Sequence, residues 1–165
     1  MTSIHITSNK FHPIHIGYKK SINMKNDLLI RKTVKVNTDV SKVWNALTNP
    51  KMIKKYLFGT KVITDWKVGS EIIFQGSWEG TKFRDRGTIE KFEIEKLFQY
   101  TYWSSLSGLE DKKENYSLII FELSSEGKTT KLTVSQRGFA TKAAQEHSDK
   151  GWSIVLQKIK KILED

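Results

Sequence analysis

Residues 144–162, AQEHSDKGWSIVLQKIKKI, decide the fold. Ala144, Ser148, Gly151, Trp152, Val155, Ile159 and Ile162 recur at steps of three and four, the period of one helix face. At about 1.5 Å per residue such a helix runs roughly 30 Å, enough to cross a whole sheet. The stripe therefore predicts a core-packing helix at the end of the chain. Gly151 interrupts it, and mid-helix glycine costs about 1 kcal/mol relative to alanine. The expectation is a close approach to a sheet at Gly151, where Gly151→Leu would overpack and cost about 1–3 kcal/mol.

Upstream of the helix, between Lys61 and Val134, the period is two and the segments follow one another with no helix between them, the pattern of an antiparallel meander. Lys61–Asp65 is a short first member, followed by a turn at Lys67-Val68-Gly69. Within residues 71–79, Ile72, Phe74, Gly76 and Trp78 share a face. Residues 82–96 are long for one strand, and Gly87 in the middle predicts a bulge or bend where the sheet curls. Residues 97–104 set Phe98, Tyr100 and Tyr102 on one side. Two further strands, 116–123 and 131–136, face each other across Ser125-Glu126-Gly127, with Leu132 and Val134 inward.

Ahead of the meander, Ile30, Val34 and Val36 alternate in a first strand. Val40, Val43, Trp44 and Leu47 then switch to helical spacing behind Thr38, a good N-cap. Asn49-Pro50 opens a second short helix that turns Ile53, Tyr56 and Leu57 to one side, and Gly59 closes it. Residues 1–26 show no sustained period and read as a disordered or loosely attached tail; residues 27–165 read as the domain. Either Met1 or Met24 fits as the start of the chain.

A chain of 165 residues can bury roughly 70% of its unfolded surface, so the core needs no staples. It contains no cysteine, no run of ~18 apolar residues and no continuous apolar signal segment, which makes the cytoplasm the expected location. Asn115-Tyr116-Ser117 is then an accidental glycosylation match. The net charge of +10 is spread along the chain, and Glu90, Glu93 and Glu95 on the basic strands would repel phosphate. The charge argues for a solvated surface and against a nucleic-acid partner.

This order, a strand, two short helices, a long antiparallel meander and a long C-terminal helix, resembles the START-like (SRPBCC) domains, in the group related to activators of the heat-shock-protein-90 ATPase. Val43-Trp44 with Leu47-Thr48-Asn49-Pro50 is similar to the opening signature of that group. Gly69, Gly87, Tyr100-Thr101-Tyr102-Trp103, Thr129-Thr130-Lys131-Leu132-Thr133 and Gly151-Trp152 follow in the expected order. Asp39 and Tyr56 depart from it, standing where many relatives place Pro and Trp. The resemblance covers roughly residues 28–165 and implies an α+β helix-grip (START/Bet v-like) fold, a curved antiparallel sheet wrapped around the last helix.

The resemblance further implies a cavity between sheet and helix that holds a hydrophobic small molecule in many relatives. Its walls would come from Trp44, Tyr56, Phe74, Trp78, Tyr100, Tyr102, Trp152, Val155 and Ile159. The same side chains could instead fill a solid core. No catalytic set can be identified. His5, His12 and His15 lie in the irregular tail without a fixed third metal ligand, and His147 reads as a surface residue of the last helix. Asp85 between Arg84 and Arg86 fits a charged group at a cavity mouth, yet an exposed ion-pair cluster is the commoner meaning. No cofactor is expected. Two functions stay open: a binding module for an apolar, aromatic or lipid-like ligand, and a protein-interaction module whose partner is a chaperone or another protein.

Overall fold

The computed structural model describes residues 28–165. The expectations for residues 1–26, including His5, His12 and His15, lie outside the described residues. Strand β1 spans Leu29–Val36, and helices α1 (Val40–Thr48) and α2 (Pro50–Tyr56) follow it. The meander then runs through β2 (Lys61–Ile63), β3 (Glu71–Trp78), β4 (Thr81–Glu93), β5 (Leu97–Tyr102), β6 (Ser117–Glu126) and β7 (Thr129–Arg137). Helix α3 (Lys142–Glu164) ends the chain.

All seven strands form one antiparallel sheet in the order β1-β7-β6-β5-β4-β3-β2. From β2 to β7 each strand pairs with the next in sequence, as a meander requires. The first strand crosses to the last, Leu29 opposite Arg137 and Val36 opposite Thr130. Curvature enters through β4. Its pairing with β5 slips between Ile89 and Lys91, and Gly87 lies so close to β5 that a Cβ there would sit 1.6 Å from the Thr101 carbonyl oxygen. Only glycine allows that contact.

The short helices start largely as their residues dictate. Asn49 caps α2 by accepting from the Lys51 amide at 3.0 Å, with Pro50 in the first turn. Asp39, not Thr38, takes the N-cap position of α1 and makes no side-chain cap; the Thr38 carbonyl accepts from Thr130 Oγ1 at 2.8 Å. Gly59, at φ +80°, ends the α2 turn as expected.

Helix α3 runs alongside β1 in the same direction, tied to it by polar contacts. Gln145 Nε2 donates to the Leu29 carbonyl (3.0 Å), and Lys32 pairs with Asp149 (3.0 Å). Further along, Lys160 Nζ donates to the Lys35 carbonyl (2.6 Å) and the Asn37 amide to Glu164 (2.8 Å). Between helix and sheet lies the core, in which Val36, Val43, Ile89, Leu132, Val134 and Ile159 are fully buried. The buried face of α3 is Val155, Leu156 and Ile159; Ala144, expected on it, is exposed. Gly151 also differs from expectation. Nothing lies within 4 Å of where its Cβ would be, so the helix does not press on the sheet there.

Candidate functional site

Alternation along the strands assembles an aromatic wall on the concave face. Strand β5 contributes Phe98, Tyr100 and Tyr102, β3 contributes Phe74, and β6 contributes Phe121. Phe98 and Tyr100 stand with ring centroids 5.0 Å apart, Phe74 and Tyr100 5.5 Å, and Phe74 and Tyr102 5.7 Å. Trp152 reaches down from α3 and meets Phe121 edge-on at 5.6 Å. The tilted and edge-to-face angles are those the ring quadrupoles prefer.

Three polar arrangements are built into this wall. Trp152 Nε1 donates to Gln136 Oε1 at 2.7 Å, and Gln136 Nε2 donates to Ser117 Oγ at 3.0 Å, which fixes the indole by its edge. Tyr56 donates to the Ala46 carbonyl at 2.9 Å. Tyr102 donates to Asp85 Oδ2 at 2.5 Å, while the amide and hydroxyl of Ser105 donate to Asp85 Oδ1 at 2.8 and 3.0 Å.

The fourth polar group is different. Tyr100 is 5% exposed, and among the described residues its hydroxyl has no hydrogen-bond partner. No sealed polar side-chain atom of the described residues lacks a partner. The Tyr100 hydroxyl therefore borders space that a water-sized group can enter. Burial raises its pKa far above the ordinary phenol value, so it is a neutral donor. Tyr56 is raised by burial first and then by Tyr100; Tyr102 is raised by burial, then by the charge of Asp85 and the bond to it, and also by Tyr100. Tyr100 and Tyr102 flank the Phe74 ring.

Eight of the nine residues expected to line an interior belong to the core or pack against it. Trp44 is buried at one end, 5.1 Å from Phe92; Tyr56, Phe74, Tyr100, Val155 and Ile159 are buried; Tyr102 and Trp152 are partly buried. Trp78 is the exception, at 52% exposure. It keeps the parity of Phe74 but is the last residue of β3, where the hairpin runs past the core. Its partner there is Phe58, edge-on at 5.8 Å, with Lys158 Nζ 4.2 Å from the Phe58 ring centroid. Trp78 is a rim residue. Phe83, which would crowd a Cβ on Gly76 at 2.9 Å, covers the strand behind it.

Asp85 corrects the exposed-cluster reading: it is 6% exposed and faces the interior, while Arg84 and Arg86 point the other way. Alternation with Phe83, Gly87 and Ile89 signals this, and it outranks the charge pattern. Phe121, Gln136 and Leu156 are among the interior residues that the sequence pattern left unmarked. Phe121 alternates with Ile119 and Leu123 and could have been found the same way.

The curled sheet gripping one long helix, with an aromatic inner face, defines a helix-grip protein of the START-like class. The chain belongs to the family described as Activator of Hsp90 ATPase homolog 1-like protein, whose profile matches residues 37–164. Among solved structures, ChR145 from Cytophaga hutchinsonii is 37% identical with a TM-score of 0.74, over 84% of this chain and 95% of that one. The Aha1 dimer from Colwellia psychrerythraea is 17% identical with a TM-score of 0.65, over 82% and 96%. CalU16 from Micromonospora echinospora is 18% identical with a TM-score of 0.66, over 82% and 75%. The last two share the fold. No curated protein matches the chain, and no helix of the described residues is long and apolar enough to cross a membrane.

Proposed function

We propose that this chain is a binding module for an apolar, aromatic or lipid-like small molecule, held between α3 and the concave face of the sheet. The ligand contacts Trp152 and accepts a hydrogen bond from Tyr100. One observation supports this reading: a buried phenol, framed by Phe74, Phe98 and Phe121, has no hydrogen-bond partner for its donor among the described residues. A folded core seldom leaves such a donor unused, whereas a pocket places a few polar groups in an apolar wall to orient what it binds. The alternative, a chaperone-associated interaction module, rests on the family description alone.

Native mass spectrometry of freshly purified protein is expected to retain a bound apolar molecule. In a panel of sterols, flavonoids, fatty acids and polyketides, a ligand at about 100 times its Kd should stabilise the fold by about 2.7 kcal/mol, read as a raised melting temperature. Tyr100→Phe removes no internal hydrogen bond, so it should leave the unliganded melting temperature unchanged. It should weaken the ligand by about fivefold, the worth of one hydrogen bond. A panel that shifts neither melting temperature nor Trp fluorescence overturns the reading.

A further inference from the structure

Asp85 is the only charged side chain buried among the described residues; the others in the buried polar set are Thr60, Ser117, Thr130, Thr133, Ser135 and Gln136. No Lys, Arg or His of the described residues is buried. The neighbours that might neutralise Asp85 are turned away by strand alternation. Arg84 donates to Gln75 at 2.6 Å, and Arg86 pairs with Glu71 at 3.4 Å and Asp111 at 3.0 Å, all on the outer face. Asp85 is held instead by three neutral donors, Tyr102 Oη and the amide and hydroxyl of Ser105. All three bonds run toward it, as an acceptor-only carboxylate requires. Asp85 lies opposite Phe74 in the β3–β4 ladder, and the Phe74 ring touches both Tyr100 and Tyr102. Asp85 is thus joined through Tyr102 and Phe74 to the aromatic wall that holds Tyr100.

We infer that the interior selects by charge: it accepts a neutral hydroxylated or carbonyl-bearing aromatic and rejects the same skeleton carrying a carboxylate or sulfonate, with Asp85 as the residue that sets the selectivity. This rests on the small-molecule reading and narrows its ligand class. Tyr100 donates to an oxygen of the ligand, and the lone pair left on Asp85 Oδ2 can accept from a ligand hydroxyl. An anion finds no buried cation among the described residues. At about 8 Å from Asp85, with an effective dielectric constant of about 20, a second negative charge is disfavoured on the order of 30-fold. The exterior works in the opposite sense. Its net positive charge draws anions from solution, so a preference for neutral ligands cannot come from the overall charge.

The test uses two fluorescent probes of one skeleton, neutral N-phenyl-1-naphthylamine and anionic 8-anilinonaphthalene-1-sulfonate, titrated in about 0.3 M salt to screen surface attraction. Wild-type protein should bind the neutral probe at least tenfold more tightly, and Asp85→Asn should bring the two affinities within about threefold. With Asp85 only 6% exposed, a probe bound on the outer surface would not feel the exchange. Should Asp85→Asn fail to fold, Asp85→Ser, which removes the charge and keeps a polar group, takes its place in the same comparison, because an apolar wall disfavours a sulfonate even without Asp85. A wild-type preference that the variant leaves unchanged overturns the role of Asp85. Equal binding of both probes by the wild type overturns the charge selectivity and leaves the binding reading standing. Binding of neither overturns both.

Discussion

Two glycines that look alike in the sequence carry opposite predictions. At Gly87, where β4 crosses β5, a methyl group would lie 1.6 Å from the Thr101 carbonyl oxygen and 2.6 Å from its carbon. Backbone cannot yield as a flexible side chain can. Gly87→Ala should therefore cost about 3 kcal/mol or more, the upper end for overpacking, in urea unfolding. A loss below about 1 kcal/mol would show that the two strands can part there. Gly151 lies mid-helix with open space around it, so Gly151→Ala should raise stability by about 0.5–1 kcal/mol through helix propensity alone. A decrease in the same experiment would restore the close-packing expectation. The sequence showed that both positions were glycine inside a regular element. What separates them is the course of a neighbouring strand, which no local pattern contains. For Asp85 the information was present, since period-two alternation put it inward.

At the scale of elements, periodicity was a good guide wherever one face is buried and the other wet. The inward face of β1 is the one that alternation predicts; in β7 Leu132 and Val134 are inward as expected, at 0% exposure, but Thr133 and Ser135 on its other face are buried too. Strand ends were less legible: β6 and β7 pair from Leu118 opposite Arg137 to Glu126 opposite Thr129, longer than the apolar residues alone mark. The reason is that backbone pairing continues through polar residues such as Ser124 and Lys131. On α3, Leu156 escaped notice because the stripe was followed through Val155 and Ile159, although the buried face includes both neighbours. The end of α3 also carries a pH prediction. Hydrogen bonds from Lys160 and from the Asn37 amide lower the pKa of Glu164. A carboxylate with a depressed folded pKa adds stability above its unfolded pKa and loses it as pH falls through the folded value. The protection of the Asn37 amide, its exchange rate relative to the intrinsic rate at each pH, should fall on acidification below the ordinary glutamate range, and Glu164→Gln should show the lower protection at neutral pH. Protection independent of pH in the wild type would refute the link.

For the molecule as a whole, the aromatic interior was legible as a set of residue types, while its hydrogen bonding was not. That Trp152 is fixed by Gln136, while the Tyr100 hydroxyl meets no partner among the described residues, depends on how separate strands meet. Residues 28–165 hold a continuous core and seven paired strands. Deleting residues 1–26 should leave a single cooperative melting transition in circular dichroism, and a broad, non-cooperative one would show that the segment belongs to the fold.

The pairing of β1 with β7 has a consequence for the order of events during synthesis. Strands β2 to β7 can zip up by successive hairpins as they leave the ribosome, but β1, made first, has its partner about a hundred residues later. Contacts so distant along the chain fold slowly, and until β7 is made β1 waits as an unpaired apolar strand open to pairing with another chain. Its outward positions hold Arg31 and Lys35. Positive charge repeated along a waiting edge keeps copies of the nascent chain apart until the sheet can close.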